Sequence, residues 1–216
     1  MKLYGYFRSS ATYRTRIALN FKGLTWEAVL VDLRAPVNAQ HDPQFRALNP
    51  QGLIPVLTNG PYTLTQSLAI IEYLEETHPE PPLLPRTAAE RAQVRALALA
   101  IACDIHPLNN LRVLNYLRAP LGCDESAVNA WYRHWIAEGF SALEQEAKRL
   151  SGDGRHLYGT SVTLADVCLV PQMYNAHRFK CDVEPYPTVC AISAYLETLP
   201  AFARAAPQAQ PDAPTG

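Results

Sequence analysis

Two stretches place hydroxyls, amides and arginines where they could bind an anion or a thiol. Residues 7–19, FRSSATYRTRIAL, set Ser9, Ser10 and Thr12 among Arg8, Arg14 and Arg16 at the mouth of an amphipathic segment. Free N–H groups and the helix dipole at such a start favour negative charge. A serine there is equally a good N-cap with no ligand. Gln66-Ser67, in LTQSLAIIEYLEE, opens a second helix with the same two readings. Between them NPQGLIPVL carries Pro55 inside a strand pattern. Proline lacks a ladder donor and belongs at an edge or in a turn. There it either frees the Ile54 backbone to pair with an extended ligand or simply ends a loop. Two anion-accepting helix starts in one small α/β region point more strongly to a ligand than either alone.

Other chemistries find less support. Ser9-Ser10 has no GxSxG frame and no accompanying Ser/His/Asp set, which argues against a serine hydrolase. No glycine fingerprint sits where a dinucleotide site needs one. The five cysteines are odd in number and form no CxxC pair, and the six histidines lack ligand spacing, so neither a disulfide framework nor a metal site is expected. A net charge of -1 gives no footprint for nucleic acid. No apolar run approaches the ~20 residues that cross a bilayer. MKLYGYFRSS has no apolar signal core, so residue 1 reads as the start of a mature, cytoplasmic protein.

The elements that must position these residues follow from periodicity. Residues 2–7 and 26–33 read as strands, and 12–22 as a helix stopped by Gly23. Residues 45–48 make about one helical turn. Strands at 54–57 and 62–64 flank a turn at Asn59-Gly60, and a helix runs over 66–77. The order is β-α-β-α-β-β-α. PEPPLLP, residues 79–85, then reads as a stiff linker, beyond which strand signals vanish. A helix over 87–118 should be interrupted at His106-Pro107, a second spans 126–150, and Thr163 to Asp166 has capping-box spacing for a third, ending near Phe179. A last helix runs from 186 to 199, and the proline-rich tail APQAQPDAPTG, residues 206–216, is expected to lie extended. The fold class is a small α/β domain followed by an all-helical one.

Together, the βαβ half, QGLIPVL, the QS helix start, the proline linker and TLAD resemble the soluble glutathione transferases. FRSSATYRTRIALNFKG, ALNPQGLIPVL, LTQSLAIIEYLEE, CDIHPLNNLRVL and TLADVCLVPQMYNAHRF resemble the zeta class, the maleylacetoacetate and maleylpyruvate isomerases, over residues 1–212. The resemblance implies a thioredoxin-like domain at 1–80, a linker at 81–86, a helical substrate domain at 87–212, a tail at 213–216, and a homodimer. Glutathione is the implied cofactor and a small dicarboxylic keto-acid the implied substrate.

By position, the resemblance puts Ser9, Ser10, Ala11 and Arg14 on the loop that approaches the glutathione thiol. Ile54 would pair its backbone with the cysteinyl residue, ahead of a cis bond to Pro55. Gln66 and Ser67 would hold the γ-glutamyl carboxylate. Gln40, with His106 and Asn110, would reach the glycine end, with Leu111 and Arg112 beside them. His106 reads equally as a buried kink residue. Arg8 and Arg178 would face the substrate carboxylates, with Arg112 a secondary candidate for that job; a dianion calls for planar, bidentate cations. The family's usual SSCS pattern is broken here by Ala11, so the nucleophile of the implied cis–trans isomerisation is the thiol of glutathione. A transferase that conjugates or dehalogenates small electrophilic acids, and a non-catalytic glutathione-binding protein, are the competing readings.

Overall fold

The computed structural model describes residues 1–34 and 36–214. The chain divides into two compact units, Met1–Pro82 with Leu199–Gly216, and Leu83–Thr198.

In the first unit β1 (Lys2–Gly5) runs parallel to β2 (Glu27–Leu30), and β3 (Val56–Asn59) runs antiparallel to β1 and to β4 (Tyr62–Thr65), in the order β2-β1-β3-β4. The β3–β4 hairpin turns through Gly60, whose φ of +57° suits glycine. One sheet face packs Tyr4 and Val56 against Phe45 of α2 (Pro43–Leu48). On the other side α1 (Ser10–Phe21) comes so close to β1 that a Cβ on Gly5 would stand 2.3 Å from Thr12 Cγ2. α3 (Ser67–Thr77) packs beside α1. The ends of α1 and α3 are tied by a buried ion pair: Lys22 Nζ donates to Glu75 Oε2 at 2.7 Å and to the carbonyls of His78 and Pro81.

Several boundaries differ from the periodicity reading. β1 and β2 are shorter, because the backbone of residues 6–7 is taken by side chains and residues 32–34 turn around the Asp32–Arg34 pair. β3 starts after Pro55 rather than at Ile54, since proline has no N–H for the ladder. The segment 199–214 is not extended: α9 (Pro200–Ala205) and a 3-10 turn (Pro207–Ala209) pack with the first unit, where composition alone groups them with the helical half. Phe202 is fully buried, and Asn20 Nδ2 donates to Ala201 O at 3.0 Å. Of the tail expected at 213–216, residues 215–216 lie outside the described residues.

The second unit is helical. α4 (Ala88–Leu99) opens with a Thr87–Glu90 capping box and runs into a π turn, Ala100–Ile105. The interruption at His106-Pro107 is a full break: α5 (Leu111–Arg118) starts afresh, capped by Asn110. The π turn is seated on α6 (Glu125–Leu150), where Gly139 leaves room for Ile105; a Cβ there would stand 2.2 Å from Ile105 Cδ1. α7 (Leu164–Arg178) has the Thr163–Asp166 capping box, its carboxylate also accepting from Leu157 N–H at 2.7 Å. α8 (Pro187–Thr198) follows. Val94, Ile101, Tyr132, Ile136, Phe140, Val167 and Leu196 fill the core, each burial contributing about 1.5–3 kcal/mol. Among the described residues no helix is long and apolar enough to cross a membrane.

Candidate active site

Sheet register gathers the first unit's candidates at one end of the strands. Tyr4 pairs with Val56 and Val56 with Thr65. The exit of β1 towards Arg8 and Ser9, the entry of β3 from Ile54-Pro55, and the exit of β4 into Gln66-Ser67 therefore lie at the same end of the sheet.

Ser9 is the N-cap of α1, its Oγ accepting from Thr12 N–H at 3.3 Å. Both readings of this serine are compatible, because a hydroxyl that accepts from one N–H still has a proton to donate to an anion. Ser10 is buried in the first turn and Ala11 is half-buried beside it. Arg14 is 2% exposed, with Nε 3.5 Å from Ser10 O. Arg8 is exposed, its guanidinium 5.7 Å from the ring centroids of both Tyr6 and Phe7. Tyr6 is buried with its hydroxyl unpartnered. Burial pushes that hydroxyl's pKa up, against the pull of Arg8 and Arg34 and with the push of Asp32 and Asp212.

The turn before Pro55 is built by Asn49: Nδ2 donates to Leu53 O at 2.6 Å and Oδ1 accepts from Gln51 N–H at 3.1 Å. The Ile54-Pro55 bond is cis, as the resemblance implies, and Ile54 precedes the β3 ladder, so the sheet does not take up its amide and carbonyl. Gln66 sits at φ +66°, a conformation costing about 1–3 kcal/mol for a non-glycine residue. Its side chain does not cap α3; Nε2 donates instead to Gln51 Oε1 at 3.0 Å. The first turn of α3 thus keeps its N–H groups uncapped by Gln66 and holds no acidic residue, with Ser67 buried at its start. Such an end favours a carboxylate. Gln40 lies on the 3-10 turn Ala39–His41, 7% exposed, with Oε1 unpartnered. It borders the same turn: a Cβ on Gly52 would stand 2.9 Å from Gln40 O, and Gly52 has φ +63°. A helix start that favours a carboxylate, a backbone left outside the sheet and an orphaned amide oxygen that calls for an N–H donor fit an extended peptide bearing a carboxylate.

The remaining candidates belong to the second unit. His106 and Asn110 bound the break after the π turn, and Asn110 Oδ1 accepts from Arg112 N–H at 3.1 Å. Leu111 and Arg112 are exposed at the start of α5. Arg178 ends α7, at the negative end of that helix dipole, 4.4 Å from the Phe179 ring centroid. Phe179 stacks on buried Tyr132 at 3.6 Å. Among the described residues no group of three or more His, Cys, Asp or Glu is placed to hold a metal ion.

Sequence reasoning missed the supports. Arg16 is 4% exposed and donates to Ala205 O, Tyr6 O and Phe7 O, and burial lowers its pKa to about 10 while Asp212 pulls it back up. Asp212 accepts from Phe7 N–H at 2.9 Å. A signal for Arg16 existed, since it falls on the apolar side of α1 between Tyr13 and Ile17. Nothing local marks Asp212.

Comparison with known proteins agrees with this geometry. Residues 3–82 match the family model for the glutathione S-transferase N-terminal domain. A probable maleylacetoacetate isomerase of Vibrio cholerae is 56% identical over 98% of this chain and 97% of its own. A solved maleylpyruvate isomerase, described as a bacterial zeta-class glutathione S-transferase in holo form, is 49% identical, with TM-score 0.96 over 99% of this chain and 100% of its own. A maleylacetoacetate isomerase from Methylobacterium extorquens AM1, solved with malonate and glutathione, is 43% identical, with TM-score 0.94 over 100% of both chains. Domain match, identity and coverage together place the chain in the zeta class of the glutathione transferases, the family of the maleylacetoacetate and maleylpyruvate isomerases.

Proposed function

We propose that this protein is a glutathione-dependent cis–trans isomerase that converts a maleyl diketo-acid to its fumaryl isomer in the breakdown of aromatic compounds such as tyrosine. The observation that carries the reading is the gathering of the Ser9 hydroxyl, the Ile54 backbone outside the β3 ladder and the uncapped start of α3 at one end of the sheet. In this reading Gln66, Ser67 and the α3 N–H groups hold the γ-glutamyl carboxylate. Ile54 takes the cysteinyl backbone, and Gln40 takes the glycine end, with His106, Asn110, Leu111 and Arg112 supplying further contacts. Bound glutathione supplies a thiolate for reversible addition to the conjugated double bond, which allows rotation and returns the cofactor unchanged. Ser9, with the positive end of α1, favours thiolate over thiol. Ser10, Ala11 and Arg14 shape the turn that carries it. Arg8 and Arg178 hold the substrate carboxylates and stabilise the negative charge that develops on the carbonyl oxygen.

A small dianion as substrate is supported by the Methylobacterium relative, which was solved with malonate and glutathione bound. The proposal extends to a homodimer and to a cytoplasmic setting, the latter supported by five cysteines that are all free. It draws most glutathione contacts from residues 1–80 and calls on the helical part chiefly for the keto-acid, with 199–214 grouped with the first unit.

The test mixes purified protein with maleylacetoacetate or maleylpyruvate and follows the chromophore with and without glutathione. Isomerisation that requires glutathione and leaves its concentration unchanged is the expected result, and kcat/KM on the two substrates ranks them. Stoichiometric consumption of glutathione would replace isomerisation by conjugation. Binding without turnover of either acid would leave only a glutathione-binding protein.

A further inference from the structure

β1 ends at Gly5, so the backbone that leads into Arg8 and Ser9 is held by groups remote in sequence. Phe7 N–H donates to Asp212 Oδ2 at 2.9 Å. The Phe7 carbonyl accepts from Arg16 Nη2 at 2.7 Å. The Tyr6 carbonyl accepts from Ser9 N–H at 3.1 Å and from Arg16 Nη1 at 3.5 Å. Arg16 in turn anchors on Ala205 O at 3.0 Å through Nε. Both sides of the Phe7 residue are thereby fixed to the segment 199–214, one directly and one through a buried guanidinium. The aromatic ring at the same spot, Tyr6, feels Arg8, Arg34, Asp32 and Asp212.

We infer that Asp212 is a positioning residue of the thiol site: by holding the Phe7 amide it sets where Ser9 Oγ and Arg8 stand. The inference rests on the reading of that loop as the glutathione thiol site. A carboxylate suits the task, because it accepts a charge-assisted hydrogen bond and lies near the buried charge of Arg16. The loop it holds has no ladder of its own, and small misplacements of a reacting geometry cost up to about a hundredfold in rate.

Three readouts on Asp212→Ala and Asp212→Asn test it. In the ligand-free protein, hydrogen exchange of the Phe7 amide is expected to rise about tenfold in D212A and to stay near wild type in D212N, whose side-chain oxygen still accepts. In the binary complex, ultraviolet titration of the glutathione thiolate is expected to show a raised midpoint in D212A and a near-native one in D212N. Turnover should follow, with kcat/KM for glutathione about tenfold lower in D212A. A D212A protein whose thiolate midpoint is unmoved overturns the positioning role, even if it is less stable. Should D212A not fold, Asp212→Ser, too short to reach the Phe7 amide, takes its place, and an unmoved midpoint there overturns it equally. Wild-type protein that fails to bind glutathione overturns the reading of the site and the positioning role with it. Wild-type protein that binds while its variants match it overturns the positioning alone.

Discussion

Tyr132 of α6 and Phe179 after α7 stack face to face, ring centroids 3.6 Å apart and 12° from parallel. The Arg178 guanidinium sits 4.4 Å from that same Phe179 centroid, and Arg133 Nε donates to Phe179 O at 3.3 Å. The arginine proposed for the substrate carboxylate therefore rests on an aromatic platform that is itself stacked on a buried ring. Phe179→Leu should raise KM for the diacid about 3–10-fold, with a smaller effect on kcat, since a cation–π contact contributes about 0.5–2 kcal/mol. Steady-state kinetics at saturating glutathione would show it, and an unchanged KM would remove the platform from the account.

Ser9 serves the helix and, on the proposed reading, the sulfur. Ser9→Ala is expected to cost about 1 kcal/mol of stability as a lost cap and about a hundredfold in kcat/KM as a lost donor to the thiolate. Ser9→Thr keeps both hydroxyl roles and should stay close to wild type in each. A pH–rate profile separates the two effects, because loss of the donor moves the alkaline-favoured limb to higher pH, whereas loss of the cap does not.

What could be read from the sequence was what lies close together along it. Ser9 with Thr12, Thr163 with Asp166, and Gln66 with Ser67 sit within one turn of helix, and spacing alone exposes them. The cis proline followed from resemblance, and the break at His106-Pro107 from the proline itself. Asp212 and Phe7 are 205 residues apart, so no local pattern links them. The start of β3 was misplaced because Ile54 continues the apolar run although the turn built by Asn49 has already claimed Leu53. APQAQPDAPTG reads as an extended tail for its prolines, yet Pro207 occupies the first turn of a 3-10 helix, where proline is at home.

Lys22 and Glu75 carry a prediction about stability. The lysine side chain is fully buried and the glutamate nearly so. Lys22→Met should destabilise by about 3–5 kcal/mol, because it strands a carboxylate in the interior. Adding Glu75→Leu should recover much of that loss. Denaturant unfolding of both single variants and the double variant completes the cycle; a double variant no more stable than K22M would show that the pair itself, rather than the stranded charge, matters.

Acid stability turns partly on Glu144. Burial pushes this α6 carboxyl up, but hydrogen bonds from Val189 N–H, Thr188 and Lys148 outweigh it and bring the net value below the ordinary 4.5. A depressed folded value means that the stabilisation is present above about pH 4.5 and is lost as pH falls through the folded value. Glu144→Gln should therefore be about 1–2 kcal/mol less stable at pH 7 and show a flatter decline on acidification. Urea unfolding at pH 7 and at pH 3 measures both; parallel pH dependences in the two proteins would exclude Glu144 as the source.

Ala11 puts a methyl group in the first turn of α1, where the family's usual pattern has a sulfur. On the proposed reaction the only sulfur that reacts is one that diffuses in and leaves. Oxidants and alkylating agents then have nothing on that loop to modify, and the catalyst is disabled by depleting or oxidising its tripeptide. Its rate becomes a reading of the surrounding pool of reduced glutathione, set by supply and by the cell's redox balance, with no thiol of the loop to repair.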